Sequence, residues 1–337
     1  NGFWRSCSLA GITSGSEPYW VAGEAEESGG HTVSRGIYKG VGGELRRVLG
    51  SGDAVSLGVS YTVSADADFN CFRFSPGGSR LIAAVRLDGL SRFNDEHVIA
   101  LDSASGGESA TRLISEGDQV PGGAAGERIK GLHLVGLSDP VDCWLPEVWF
   151  AAVNTTEHSG QNSVLIRDGA VMMREGQEID GLTLAGQPLA AQISAKGDIA
   201  CIWPARAENA PARTAAFFNG RLLLAAGAQT ASGEVVTFIA PMIAIGSTAA
   251  DGRVSVFLNV HLNDAPAMVR VRPMGTPIHS CPSDFDRDGD SGTDLDIEAF
   301  FAALGGVGSG STDINCDGDV GTDLDIEAFF VALGSGC

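Results

Sequence analysis

The chain is 337 residues long, 44% hydrophobic and 19% charged, with 42 acidic against 22 basic residues and a formal net charge of −20. That is length enough for a sizeable buried core. With no basic patch, it offers neither nucleic acid nor an anionic membrane surface an electrostatic partner. No apolar run approaches a bilayer-spanning helix, so no membrane span is expected.

From the N-terminus, residues 1–276 read as one domain, rich in glycine and short β-type runs and almost without helical periodicity. Asn1 in place of methionine is what a removed export signal or a truncated chain leaves. The runs recur as a unit: a strand, a polar turn, an apolar strand, a third strand, and a strand closing on glycine and a polar residue. The first unit holds YWVAGEA (19–25), SRGIYKG (34–40) and LRRVLGSGDAV (45–55). The second holds FRFSPGGSRLIAAVRL (72–87), HVIALDS (97–103) and ATRLISEGDQV (110–120). The third runs through LVGLSDP (134–140), VWFAAV (148–153), SVLIRDG (163–169) and AVMMREGQEI (170–179). The fourth has AQISAKGDIACIW (191–203), TAAFFNG (214–220) and RLLLAAGAQT (221–230). The last has MIAIGSTAADGRVSVFLNV (242–260) and AMVRVRP (267–273).

The closing glycines Gly52, Gly117, Gly176 and Gly227 stand 65, 59 and 51 residues apart. Units of four short antiparallel strands at this period are the signature of propeller blades. The expected fold is therefore mainly β, a five-bladed β-propeller, with a pair of β-sandwiches as the competing arrangement. The last unit lacks an obvious fourth strand, which the N-terminus could supply to close the ring. FSPGGSRLIAAV and ISAKGDIACIW are similar to the turn and second strand of TolB-like and WD-repeat propellers. LISEGDQVPGG and MREGQEIDG resemble tandem-repeat propellers of anchored bacterial secreted proteins.

Catalytic motifs are missing from this region: no G-x-S-x-G elbow, no H-E-x-x-H, no phosphate-binding loop and no dinucleotide fingerprint. The six histidines (His31, His97, His133, His158, His261, His279) lie singly and read as surface or packing residues. His97, beside Asp95 and Glu96, reads as part of a charge pair on a strand edge. Glycoside hydrolysis needs two acids about 5–10 Å apart. Glu24, Glu26 and Glu147 are candidates, but nothing in the sequence brings them together. Trp20, Trp144, Trp149 and Trp203 stand beside apolar runs, as inter-blade core residues do, although such rings also stack on sugars. No catalytic residue is assigned.

Residues 277–283 read as a linker, with a hinge in Gly275-Thr276-Pro277, where proline and small residues break the last strand. Beyond it the same pattern occurs twice, 29 residues apart: DFDRDGDSGTDLDIEAFFAALG from Asp284 and DINCDGDVGTDLDIEAFFVALG from Asp313. Acidic or amide side chains at loop positions 1, 3 and 5, followed by glycine, give the oxygen spacing that wraps a hard cation. The expected ligands are Asp284, Asp286 and Asp288 in the first loop and Asp313, Asn315 and Asp317 in the second. Backbone carbonyls of Asp290 and Asp319 would add to them. Strict counting places Leu295 and Leu324 where a closing carboxylate belongs. A one-residue insertion makes Asp296 and Asp325 the closing ligands, with Asp294 and Asp323 as second choices. Apolar residues at i, i+3, i+4 and i+7 (Ile297, Phe300, Phe301, Leu304; Ile326, Phe329, Phe330, Leu333) then form one face of a short helix in each copy, packing across the pair.

Two calcium loops, each followed by one helix, resemble a dockerin. Cys281-Pro282, DGDVGTDLDIEAFF and the terminal Gly336-Cys337 are similar to the GC-type variant, a resemblance confined to residues 281–337. It implies a small all-α calcium-binding domain over 284–337 holding two Ca2+ ions. It also implies a secreted protein and a cohesin-like or cell-surface anchoring partner. The tail holds 13 carboxylates against Arg287 alone, so the acidity concentrates where cations would neutralise it. In an exported protein some of the seven cysteines would pair. Cys281, Cys316 and Cys337 form the pool for one tail disulfide, its two partners left open. The expected function is a non-enzymatic propeller that displays a binding surface for an unknown ligand and is tethered by this module. The alternative is a polysaccharide-degrading propeller enzyme carrying a dockerin.

Overall fold

A computed structural model describes residues 3–335 apart from 13–17, 26–31, 43, 66, 68, 70, 92–93, 105, 140–146, 158–159, 231, 247–253, 274–281, 287–291, 308–311 and 316–318. The protein is mainly β, with two helices near its C-terminus. The first sheet orders β1 (Phe3–Ile12), β2 (Pro18–Ala25), β3 (Thr32–Val41) and β4 (Glu44–Gly50) side by side. A small hairpin, β5 (Ala54–Ser56) and β6 (Ser60–Thr62), leads to the second sheet of β7 (Phe72–Phe74), β8 (Arg80–Arg86), β9 (Glu96–Asp102) and β10 (Thr111–Ser115). The third sheet holds β11 (Ile129–Leu137), β12 (Trp149–Thr155), β13 (Ser163–Arg167) and β14 (Ala170–Arg174). Another hairpin, β15 (Glu178–Ile179) and β16 (Leu182–Leu184), joins a fourth sheet of β17 (Ala190–Ile193), β18 (Ile199–Arg206), β19 (Arg213–Phe218) and β20 (Arg221–Ala225). The fifth sheet has three strands, β21 (Val236–Ile245), β22 (Val256–Leu262) and β23 (Ala265–Val271).

The second, third and fourth sheets bury both faces. Along β8, Leu81, Ala83 and Val85 pack against the first sheet, while Ile82 and Ala84 pack against the third. This is the two-residue strand period sorting one apolar run onto two interfaces. Two further cores join the third sheet to the fourth and the fourth to the fifth. Trp203 is fully buried in the former, and its indole N–H donates to the Gly186 carbonyl at 2.8 Å. Trp149 packs against the core between the second and third sheets, so both tryptophans are inter-sheet residues. Trp144 and the Trp20 side chain lie outside the described residues.

The closing glycines explain the repeat. Gly52, Gly117, Gly176 and Gly227 all take left-handed φ values of +82°, +82°, +83° and +101°, a conformation that a Cβ penalises. Each donates its N–H to the carbonyl of a buried apolar residue further along the chain, at Val63, Ile129, Leu184 and Val236. Those residues return an N–H to Asp53, Asp118, Gln177 and Ala228. Asp53, Asp118 and Gln177 also reach back with their side chains to the N–H of Gly50, Ser115 and Arg174. So the runs expected as single strands, such as LRRVLGSGDAV and AVMMREGQEI, break at the glycine and the chain turns into the next sheet.

One expectation is corrected. The N-terminal strand does not complete the last sheet: β1 pairs with β2, from Phe3 opposite Ala25 to Ile12 opposite Pro18. A neighbour in sequence closes a shorter loop than a strand over 200 residues away, so local pairing wins. Among the described residues the fifth sheet stays three-stranded, and no strand joins the last sheet to the first. The expected hinge at Gly275-Thr276-Pro277 lies outside the described residues.

Candidate metal centre

The tail folds around α1 (Asp294–Leu304) and α2 (Asp323–Ser335). Their shared core is Phe285, Phe300, Ile314 and Phe329. Phe300 and Phe329 stack with ring centroids 4.0 Å apart and planes 9° from parallel, and Phe285 meets both edge-on. Phe301 and Phe330 do not join this core: they are 45% and 46% exposed and meet each other on the surface at 6.4 Å. Two helices in contact bury a narrow seam, so one phenylalanine of each pair fills it and the other is left outside. The remaining core places go to Phe285 and Ile314, each at position 2 of a loop.

A tight crossing brings the helices together. Gly292 and Gly321, at equivalent places in the two loops, have φ +79° and +70°, and each faces a leucine of the other helix. A Cβ on Gly321 would stand 2.9 Å from Leu304, and one on Gly292 3.5 Å from Leu333.

Asp296 caps α1 and closes the first loop together. Its Oδ2 accepts from the N–H of Thr293 at 2.8 Å and from the Thr293 hydroxyl at 3.0 Å, while its own N–H donates to Thr293 Oγ1. That reciprocal capping box fixes the helix start. Oδ1 takes the N–H of Asp286 at 3.2 Å. Asp325 repeats the arrangement, accepting from Thr322 on one oxygen and from Ile314 (2.8 Å) and Asn315 (3.3 Å) on the other. Burial pushes the Asp325 carboxyl up, but these hydrogen bonds outweigh it and hold it below the usual carboxylate range. Both closing aspartates are fully buried, whereas Asp294 and Asp323 are exposed at the first turn of their helices.

Asp284, Asp286 and Asp296 each bring one carboxylate oxygen within 4.8 Å of the others. Asp284 and Asp296 are buried and Asp286 is exposed. Three hard, anionic oxygens in this space fit a hard divalent cation and suit neither soft metals nor a redox centre. In the second loop Asp313 is buried, while Asn315 and Asp319 are exposed. Asp288, Asp290 and Asp317 lie outside the described residues, as do Cys281, Cys316 and Cys337. Cys71 and Cys201 are free thiols, both pushed up to about 12, by burial first.

In the β region, Glu147 is held in an ion pair with Arg80 at 3.0 Å, with the charges of Asp139 and Asp102 also acting on it. Glu26 and the Glu24 side chain lie outside the described residues. Asp95 pairs with Arg86 at 3.3 Å, and His97 Nδ1 lies 2.6 Å from Ser115 Oγ. The acids that do meet are Glu96 and Glu116, backbone-paired across β9 and the end of β10. Burial first, then the Glu116 charge, holds Glu96 above the usual carboxylate range, and burial first, then the Asp95 charge, does the same for Glu116. The pair escaped the sequence because Glu116 belongs to the turn that closes the unit.

No protein-family model matches the chain, and no curated protein does. Solved structures resemble it only distantly. Prolyl oligopeptidase B from Galerina marginata is 9% identical over 82% of this chain and 38% of its own, at a TM-score of 0.35. A puromycin hydrolase is 14% identical over 77% of this chain and 33% of its own, at 0.33. The polysaccharide lyase Uly1 is 11% identical over 80% of this chain and 69% of its own, at 0.32. The chain thus spans little more than a third of the oligopeptidase's length. Likenesses this weak carry no argument about activity. Among the described residues no helix is long and apolar enough to cross a membrane.

Proposed function

We propose that residues 1–276 form a five-bladed propeller acting as a non-enzymatic binding platform. Residues 284–337 are then a dockerin-like module that takes two calcium ions and tethers the chain, outside the cell, to a cohesin-like or cell-surface anchoring protein. The observation that carries this reading is the meeting of Asp284, Asp286 and Asp296 at the capped start of α1, with the same closing network around Asp325. Asp284, Asp286, Asp288, the Asp290 carbonyl and Asp296 would hold the first ion. Asp313, Asn315, Asp317, the Asp319 carbonyl and Asp325 would hold the second. The ion supplies positive charge that offsets carboxylate repulsion; the chain supplies the rest. Thr293 and Thr322 orient the closing carboxylates, and backbone N–H groups of both loops bond to them. Calorimetric titration of the full chain with calcium tests this. Two equivalents are expected, with Asp296→Ala weakening uptake more than Asp294→Ala; an absence of uptake would sink the module.

A second reading, a polysaccharide-degrading propeller enzyme, draws on Glu96 and Glu116. A carboxyl pair held above the usual range can divide into acid and base. Release of reducing sugars or unsaturated products, independent of calcium and lost in Glu116→Gln, would favour it. Silence across a polysaccharide panel leaves the binding platform.

A further inference from the structure

One cavity of about 480 Å³ is lined by residues from all five sheets, a volume that suits a small organic ligand. Its wall is largely apolar, with Phe74 and Phe150 among the lining residues. Arg73 from β7, Tyr19 from β2 and Gln192 from β17 line it too. Phe72 and Phe74 flank Arg73 and belong with Tyr19 to the core against the first sheet, so the cavity, lined by Arg73 as well as Tyr19 and Phe74, takes in both faces of β7. Six arginines of the β region, Arg47, Arg80, Arg86, Arg112, Arg167 and Arg174, meet carboxylates. Arg73 meets none among the described residues; its guanidinium donates only to the Phe72 carbonyl at 2.8 Å. The Tyr19 hydroxyl and the Gln192 amide likewise have no protein hydrogen-bond partner among the described residues.

An unneutralised, half-buried cation is unusual in a chain of net charge −20, and burying charge without a counter-ion is costly. We propose that this cavity binds a small molecule bearing one carboxylate, which pairs with Arg73, accepts from Tyr19 and Gln192, and lays its body against Phe74 and Phe150. A guanidinium fork matches one carboxylate in two parallel hydrogen bonds. A single cation balances a single negative charge, which disfavours phosphate-type polyanions. Burial holds the Tyr19 phenol above its ordinary range, Arg73 opposing, so it stays protonated and donates. This proposal rests on the reading of the β region as a binding platform and is independent of the calcium loops.

The test is calorimetric titration of the calcium-loaded full chain with glucuronate and N-acetylphenylalanine, each against its neutral counterpart, glucose and N-acetylphenylalaninamide. At least one carboxylate should bind at millimolar concentration or below, with its neutral counterpart at least about tenfold weaker. Arg73→Gln should weaken that binding about 10- to 100-fold while calcium uptake stays unchanged. Should Arg73→Gln fail to fold, the wild-type comparison of charged and neutral probes decides alone. A neutral probe that binds as tightly as its acid overturns the carboxylate assignment and leaves the platform standing. Failure of both acids to bind overturns the site.

Discussion

Withdrawing calcium should unlock the tail while leaving the β region folded. Three carboxylate oxygens lie within 4.8 Å of one another in the first loop. At that distance each pair repels by about 3.5 kcal/mol for an effective dielectric of 20 and about 0.9 kcal/mol in water. Asp286 is exposed, so the true figure falls between, and three pairs sum to about 3–10 kcal/mol. Against this stand four buried side chains, Phe285, Phe300, Ile314 and Phe329, at about 1.5–3 kcal/mol each. The two terms are comparable before any chain entropy is counted, and helices of 11 and 13 residues do not persist alone. Metal binding therefore becomes folding energy. Hydrogen exchange read by mass spectrometry on the full chain should show amides of α1 and α2 protected in calcium and unprotected in chelator, with β8, β12 and β18 protected in both. Magnesium should protect less, because it demands tighter octahedral geometry. Equal protection of the helices with and without calcium would refute the reasoning.

Gly176→Ala should lower the melting temperature more than Gly227→Ala: both pay for φ > 0, but only at Gly176 does the new Cβ meet a backbone oxygen, that of Gly160 at 2.9 Å. Arg174→Met should cost about 3 kcal/mol in denaturant unfolding, since it removes the counter-charge of Glu127, whose side chain is 1% exposed and bonded to Arg174 at 2.6 Å, and leaves only neutral donors such as the Ala124 N–H. Adding Glu127→Gln should recover part of that loss; a double variant no better than the single would show that the pair is not coupled. Glu96→Gln should raise the melting temperature at neutral pH. Burial and Glu116 hold the folded carboxyl above its unfolded value, so ionising it costs stability as pH rises through that range. The gain should vanish towards about pH 4, where Glu96 is protonated in both states.

The sheets were legible where turns punctuate apolar runs, as in FSPGGSRLIAAVRL, which becomes β7 and β8. Their packing was not. LIAAV is a continuous apolar run because both faces are buried, so nothing in the string says that Leu81 and Ile82 belong to different cores. The N-terminus was expected to supply a strand, but the bounds and partner of β1 went unread because Arg5, Ser6, Ser8 and Gly11 interrupt its apolar pattern. In the tail, the phase of the helix face picked out Asp296 and Asp325 from four aspartates, and the meeting with Asp284 and Asp286 agrees. Phe285 and Ile314 lie between acids, where nothing local marks them as core. Their burial depends on the crossing of two helices, and no local period encodes that.

The two parts of the chain answer differently to the same problem of small size per unit. In the β region four apolar cores lie in series between successive sheets. The glycine turns matter there because they set the register in which one sheet hands the chain to the next. The tail has a single core of four buried residues, too few to hold a unit of this size. Its strongest contacts, at Asp296 and Asp325, join helix start to loop, so each needs the loop closed before it forms. Closure is what the clustered carboxylates oppose and a cation favours. With the calcium proposed for its loops, a helix pair assembled on those terms would fold as the ion binds, while the sheets it is attached to would not depend on it.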